Sequence, residues 1–492
     1  MRLGIDFGTT RTVVACADRG NYPVLGFQDE RGDAVDWFPS VVAERDGQLV
    51  FGFAAESASA EDGWTVVRSF KRWLGEGAHD RAVRVGAATL PLVELLARFF
   101  GALRDALVAR AHLTGAERFE VAVAVPANAH GKQRFATLEA FRRAGFEVRA
   151  MLNEPSAAGF EYTHRYHATL SSRRENVIVY DLGGGTFDAS LVRISGRHHD
   201  AVATAGVNRL GGDDFDAILA DLALCAAGRT RESMDAVAQR ALTDACRAAK
   251  EALNPSSRKL VIDAFGETVT IATADFYEAC APLIARTLEA MAPVLVEGGK
   301  DRDDLAGVYI VGGASALPAV GRALRERFGR RAHRSPYPFA AIAIGLAIAA
   351  DDDSGYALTD RLSRNFGLFR EADGGREVSF DVILARDAEL PTAGARSLLR
   401  EYRAAHNIGH FRFVECTSVE GGAPTGDVTP LGDVVFPFDA SLRGLDLDGV
   451  PVERLGDGPR VREEYSIDAH GMVAVTITDL ESGFQRAFRI GG

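Results

Sequence analysis

Apolar residues run through Leu3, Gly4 and Ile5, stop at Asp6, and resume at Val13, Val14 and Cys16 after a Gly8-Thr9-Thr10 turn, which predicts a β-hairpin. Leu92 to Ala111 carries apolar residues at helical spacing, and Phe119 to Val125 is a continuous β-branched run ended by Pro126. A helix followed by a buried strand predicts a layered α/β domain. Asn176 to Asp181 then repeats the opening: an apolar strand ending in Asp, the turn Leu182-Gly183-Gly184-Gly185-Thr186, and a second strand through Ser190, Leu191 and Val192. The repeat predicts a duplicated fold whose halves each contribute one phosphate-type loop to a shared cleft. A third turn, Gly312-Gly313-Ala314, ends the strand Val308 to Val311 and precedes a helix through Phe328, so it is placed to approach a ligand from the far lobe. The Ala- and Gly-rich run from Ala340 to Ala350 is too short to span a bilayer and predicts a packed helix.

The pattern changes at Asp351-Asp352-Asp353-Ser354-Gly355, an acidic, Gly-containing boundary. Beyond it, alternating segments at Val378 to Leu384, Phe411 to Cys416, Val434 to Phe438 and Val473 to Thr478 predict a compact β-sandwich. The chain thus divides into an α/β part over 1–350, a linker over 351–365 and a sandwich over 366–492. A length of 492 residues suits two or three domains better than one core. The 47% hydrophobic and 25% charged composition excludes wholesale disorder and fibrous repeats. A net charge of −12, with no basic run interleaved with aromatics, excludes nucleic acid as the main partner. Asp6 and the Gly-Thr-Thr turn stand where a secretory signal needs apolar residues, so a cytoplasmic protein without a membrane partner is expected. Cys16, Cys225, Cys246, Cys280 and Cys416 are odd in number and lack metal-like spacing, which suits reduced core residues.

Glycine is needed where a backbone must approach phosphate oxygens, because a side chain would block the amides that donate to them. Gly8-Thr9-Thr10, continued by Arg11, and Gly183-Gly184-Gly185-Thr186 meet that need and add hydroxyl donors. Either turn alone also suits a tight hairpin; two matching turns, each preceded by Asp, favour a shared ligand. Asp6 and Asp181 could hold magnesium through its retained waters, although a lone Asp at a strand end also suits turn capping. No GxxxxGK[ST], HExxH or GxSxG pattern occurs, which removes P-loop, zinc-protease and serine-hydrolase chemistry.

Together these segments resemble the 70-kDa heat-shock (DnaK-type) chaperone family. The resemblance is carried by Leu3 to Thr10, Val125-Pro126-Ala127, Asn153-Glu154-Pro155-Ser156-Ala157-Ala158, Tyr180 to Asp188, Leu210-Gly211-Gly212 with Phe215-Asp216, and Val311-Gly312-Gly313. It implies an actin-like, ribonuclease H-like duplicated ATPase domain followed by an all-β sandwich, with ATP, ADP and magnesium as ligands. By the same resemblance, Lys71 is the lysine that orients the attacking water. Glu154 and Asp181 position that water and the magnesium shell, and Thr186 contacts the γ-phosphate; such catalysis is positioning and electrostatics. Pro126 and Arg134 match the family's relay between nucleotide state and the substrate domain. Gly212, Arg247, Lys250, Glu251, Asn254, Ala314 and Ser315 fall on the nucleoside side, with departures. Arg247 stands for an acidic residue, Glu251 for the adenine-stacking arginine, Asn254 for a serine, and Phe339 for a late acidic position.

The C-terminal part resembles the family's peptide-binding sandwich, most clearly over Ser466 to Val475 and Asp479 to Gly483. The helical lid is expected to be absent and client release fast. The family linker is strongly apolar, whereas Tyr356-Ala-Leu-Thr-Asp-Arg-Leu362 is broken by charge, so docking is expected to be weaker or differently built. The reading is an ATP-dependent chaperone of protein folding and stress response. It binds unfolded or extended polypeptides and has a J-domain cochaperone and a nucleotide-exchange factor as implied partners. Alternatives are a slow nucleotide switch or scaffold whose sandwich holds one dedicated partner, and a small-molecule kinase of the same superfold.

Overall fold

The computed structural model describes residues 1–59, 61–76, 81–110, 118–167, 170–171, 174–297 and 304–491. Two mixed sheets organise the first part of the chain. In the first, the order is Glu147–Asn153, Glu120–Val125, Arg2–Phe7, Arg11–Cys16 and Phe38–Pro39. Arg2–Phe7 pairs antiparallel with its hairpin partner and parallel with Glu120–Val125. In the second sheet the order is Ala332–Arg334, Leu305–Val311, Asn176–Leu182, Thr186–Ser195, His198–Asn208 and Ala357–Thr359. Asn176–Leu182 again pairs antiparallel with its hairpin partner and parallel with the strand on its other side. The repeated strand–Asp–turn–strand pattern therefore becomes a repeated sheet topology.

Between the sheets lie the helices Glu154–Tyr166 and Ala341–Ala350. Ala341–Ala350 is apolar all round, and nine of its ten residues are buried, as such a helix must be. Its small residues allow contact at backbone distance: a Cβ on Gly345 would lie 1.8 Å from the Ala157 carbonyl oxygen. The helix expected over Leu92 to Ala111 is seen as Leu92–Arg110, and Ala111 lies outside the described residues. With Gly131–Arg143 it closes an aromatic core in which Phe7, Phe70, Phe99, Phe100 and Phe141 are buried. Gly212–Ala226, Ala236–Glu251 and Thr273–Ala290 build a second core on the other half.

The C-terminal part consists of two four-stranded sheets. One runs Glu377–Leu384, Asn365–Ala372, Ile408–Glu420, Ala423–Pro437, and the other Ala395–Arg403, Arg460–Asp468, Val473–Asp479, Gln485–Ile490. All their pairings are antiparallel, and Val473, Val475 and Ile477 alternate inward onto Phe366, Phe413 and Tyr465.

The charged segment 356–362 packs against the α/β part. Ala357–Thr359 adds to the second sheet, parallel to His198–Asp200, and Tyr356 packs its ring 5.5 Å from that of Phe160. Asp360, buried, accepts from Asn153 Nδ2 at 2.8 Å, and Asn153 Oδ1 accepts from Arg134 Nη2 at 2.6 Å. Arg361 bridges Asp200 at 3.1 Å and Glu389 at 2.9 Å. From the sandwich, the buried Glu415 accepts the Gly131 N–H at 2.9 Å, at the N-terminus of Gly131–Arg143, where the helix dipole favours a carboxylate. Charge at Asp360 and Arg361 is thus part of a contact surface.

Candidate functional site

Because both hairpins turn at the same end of their sheets, the Gly8–Arg11 and Gly183–Thr186 turns face each other across one cleft. Asp6 and Asp181 sit on its floor, where their strands end. The cleft encloses about 830 Å³ of free space, part of it open to solvent. It gathers Gly8, Thr9, Thr10 and Arg11 from the first turn, Gly183, Gly184 and Thr186 from the second, and Gly312, Gly313 and Ala314 from the third. Lys71, Glu154, Gly212, Arg247, Lys250 and Glu251 complete it. Three expected residues lie elsewhere. Gly185 lines a separate chamber behind Lys71 and Thr186, while Asn254 and Ser315 line a cavity that shares Lys250, Glu251, Gly313, Ala314 and Phe339 with the cleft. Pro126 borders the rear chamber, and Arg134 belongs to the buried contact with Asn153 rather than to the cleft.

The turns meet too closely for side chains. A Cβ on Gly184 would come within 2.8 Å of Thr10 Oγ1, and one on Gly312, whose φ is +85°, within 2.3 Å of Asp181 Oδ1. Backbone amides are thereby left to line the floor.

At the centre, Lys71 Nζ donates to Glu154 Oε1 at 2.7 Å. Burial opposes the Lys71 ammonium, but Glu154, Asp6 and Asp181 outweigh it and raise its pKa. Burial, then Glu154, pushes the Asp6 carboxyl up to about 7, with Lys71 pulling the other way. Asp188 is likewise raised to about 7 by burial and then Glu154. Asp181 is raised well above the carboxylate range by burial and by Glu154, Asp188 and Asp6. Four acids around one lysine leave the floor short of positive charge, which a cation would supply. Among the described residues, no three Asp, Glu, His or Cys groups converge as a metal cage. The donor set fits a hard, water-retaining cation held by one or two carboxylates and by ligand oxygens, which is the manner of magnesium.

Nearer the mouth, charges pair across the cleft. Arg11 reaches Glu251 at 2.5 Å, its guanidinium 4.4 Å from the Trp37 ring centroid and 4.8 Å from that of Phe339. Arg247 pairs with Asp213 and Asp216, both at 3.3 Å, and Lys250 with Asp216 at 2.6 Å, so both cations brace Gly212–Ala226 while lining the cleft. Sequence reasoning missed Arg72, Ser69, Asp213 and Trp37. Arg72 donates to the Gly185 carbonyl at 3.3 Å and Asp214 at 3.2 Å, and Ser69 to Asp213 at 2.7 Å. The only available signal is the adjacency of Arg72 to Lys71, since nothing in the pattern shows that Phe70–Glu76 folds as a 3₁₀ turn over the cleft.

Comparison with known proteins agrees with the geometry. The Hsp70 protein family matches residues 2–96 and 93–362. Chaperone protein HscA from Escherichia coli strain K12 / DH10B is 32% identical over 515 residues, covering 100% of this chain and 78% of the relative. The same figures hold for Chaperone protein HscA from strains O17:K52:H18 UMN026 and O6:H1 CFT073.

Proposed function

This chain belongs to the Hsp70 family, and from that premise we propose that the cleft between its two mixed sheets is where ATP is held and hydrolysed. The chain is an ATP-dependent chaperone and an ATPase that binds substrate peptides. We assign an actin-like, duplicated nucleotide-binding domain to 1–350, a linker to 351–365 and the peptide-binding sandwich to 366–492. The observation that carries the reading is Lys71 on Glu154 between Asp6 and Asp181, at the point where the three glycine turns converge.

In this assignment the backbone amides of Gly8–Thr10 and Gly183–Gly184 cradle the β- and γ-phosphates. Asp6 and Asp181 would hold the water shell of magnesium, which would neutralise charge developing on the phosphates. Lys71 and Thr186 face the γ-phosphate, and Glu154 fixes the Lys71 ammonium. The water oxygen bonds to the γ-phosphorus as the bond to the β–γ bridging oxygen breaks. The bridging oxygen leaves with the electron pair on ADP, and the proton from water passes to the carboxyl cluster. Asp188, whose carboxyl burial and then Glu154 push up to about 7, suits that transfer at neutral pH. Arg247, Lys250, Glu251, Asn254 and Ser315 frame the nucleoside side, and Pro126 and Arg134 relay nucleotide state to the sandwich. A J-domain cochaperone and a nucleotide-exchange factor are the partners this reading assigns.

Lys71→Ala is the direct test. Because the ammonium acts on charge that develops in the transition state, the variant should bind ATP yet hydrolyse it at least about 100-fold more slowly. Near-normal turnover would remove the assignment.

A further inference from the structure

The rear chamber shares Thr9, Lys71 and Thr186 with the cleft, so the very groups assigned to the γ-phosphate stand between the two cavities. It encloses about 660 Å³, part of it open to solvent, behind the phosphate turns. Its inner wall is apolar, with Phe7, Leu74 and Val125 buried. Gln133 and Thr137 supply polar groups along it, and its mouth is formed by exposed Gly75 on one half of the α/β part and exposed Asn208 and Arg209 on the other. Arg72 lines the chamber, and its buried Nε–H makes no hydrogen bond, the nearest carboxylate oxygen being Asp213 Oδ2 at 3.5 Å.

After hydrolysis the front of the cleft is the wrong way out for phosphate. ADP occupies the glycine turns there, and the Arg11–Glu251 ion pair spans the mouth. Behind the groups assigned to the γ-phosphate, the rear chamber is lined by the Thr9 and Thr186 hydroxyls, the Lys71 ammonium and the Arg72 guanidinium.

We propose that this chamber is a transient binding site and exit channel for inorganic phosphate, which leaves by the Gly75–Arg209 mouth while ADP is still bound. The inference rests on the cleft being the ATP site. Lys71, Thr9 and Thr186 form the inner end of the channel, the Arg72 Nε–H is a donor along it, and Arg209 draws the dianion to solvent.

The experiment uses the full chain loaded with ADP and magnesium, and inorganic phosphate as the probe. Phosphate affinity is read by phosphorus NMR titration, and phosphate release after a single ATP turnover by a fluorescent phosphate-binding sensor. Arg209→Glu reverses charge at the mouth and should weaken phosphate about tenfold while ADP affinity stays unchanged. Gly75→Trp narrows the mouth from the opposite half. Its single-turnover hydrolysis, read by acid quench, should match that of the parent chain, and free phosphate should appear at least about tenfold later. Unchanged phosphate affinity in Arg209→Glu, together with release that tracks chemistry in Gly75→Trp, would overturn the channel. Failure of the parent chain to bind ADP would instead overturn the underlying reading of the cleft, which separates the two failures.

Discussion

Asp360→Ala isolates the contact that ties the linker to the cleft-bearing part. Asp360, Asn153 and Arg134 are all buried, and the chain of donors runs from Arg134 through Asn153 to the Asp360 carboxylate. Removing that carboxylate leaves Asn153 Nδ2 without its acceptor and takes away one of the three acids, Asp360, Glu415 and Asp468, whose fields favour the Arg134 cation. Breaking a buried ion pair outright costs about 3–5 kcal/mol. Since Glu415 and Asp468 remain, the loss should be about 2–3 kcal/mol, near the cost of stranding a buried polar group. That energy lowers the docked-to-undocked ratio by about 30- to 150-fold. Hydrogen exchange reads it directly, because the Ala357–Thr359 amides are protected only while paired with His198–Asp200. In the variant their exchange should accelerate by that factor, with the buried strand Asn176–Leu182 unchanged. Asp360→Asn, which keeps an acceptor oxygen but not the charge, should fall between. Unchanged protection of Ala357–Thr359 in Asp360→Ala would refute the claim that this contact holds the linker in place.

Three further outcomes follow from the same geometry. Asp6 and Asp188 are raised to about 7 in the folded chain, so without ligand it binds protons that the unfolded chain has already released above about pH 4. Stability should therefore fall as pH rises from about 4 through 7, by up to about 1.4 kcal/mol per pH unit for each group, and Asp6→Asn should flatten the slope in urea titrations. Magnesium should flatten it too, because it supplies the missing positive charge; a pH-independent unfolding midpoint would contradict the electrostatics. Gly345→Ala drives a Cβ to 1.8 Å from the Ala157 carbonyl oxygen, backbone against backbone, and should cost on the order of 3 kcal/mol in thermal or urea unfolding. Glu415→Ala strands the Gly131 N–H and should lower the docked population about tenfold by the same exchange measurement, with ADP affinity unaltered.

What the sequence made legible was local. The hairpins at Arg2–Cys16 and Asn176–Ser195 announce themselves because strand, Asp, glycine turn and strand are contiguous, and the Ala341–Ala350 helix because it is apolar on every side. Lys71 could be singled out only through the family resemblance, since burial beside Glu154 is a product of the 3₁₀ turn that carries it. Arg72 and Trp37 were not legible for the same reason: their meaning lies in partners on distant segments, Asp214 for one and the Arg11 guanidinium for the other. The linker was read as interrupted because its charges break an apolar pattern. Asp360 and Arg361 meet Asn153 and Asp200, whose availability depends on the edge of a sheet that only the fold creates. Glu415 reads as a surface residue in an alternating strand, and its docking onto a helix N-terminus could not be foreseen from spacing.

The central claim is that one cleft hydrolyses ATP and that the docked sandwich senses it. Its most direct test is ATP turnover by the purified chain with and without an unfolded apolar peptide. The account predicts magnesium-dependent hydrolysis that the peptide stimulates in the parent chain, with the stimulation, though not the basal rate, lost in Asp360→Ala. Turnover indifferent to every peptide, or stimulation that survives undocking of the linker, would contradict it.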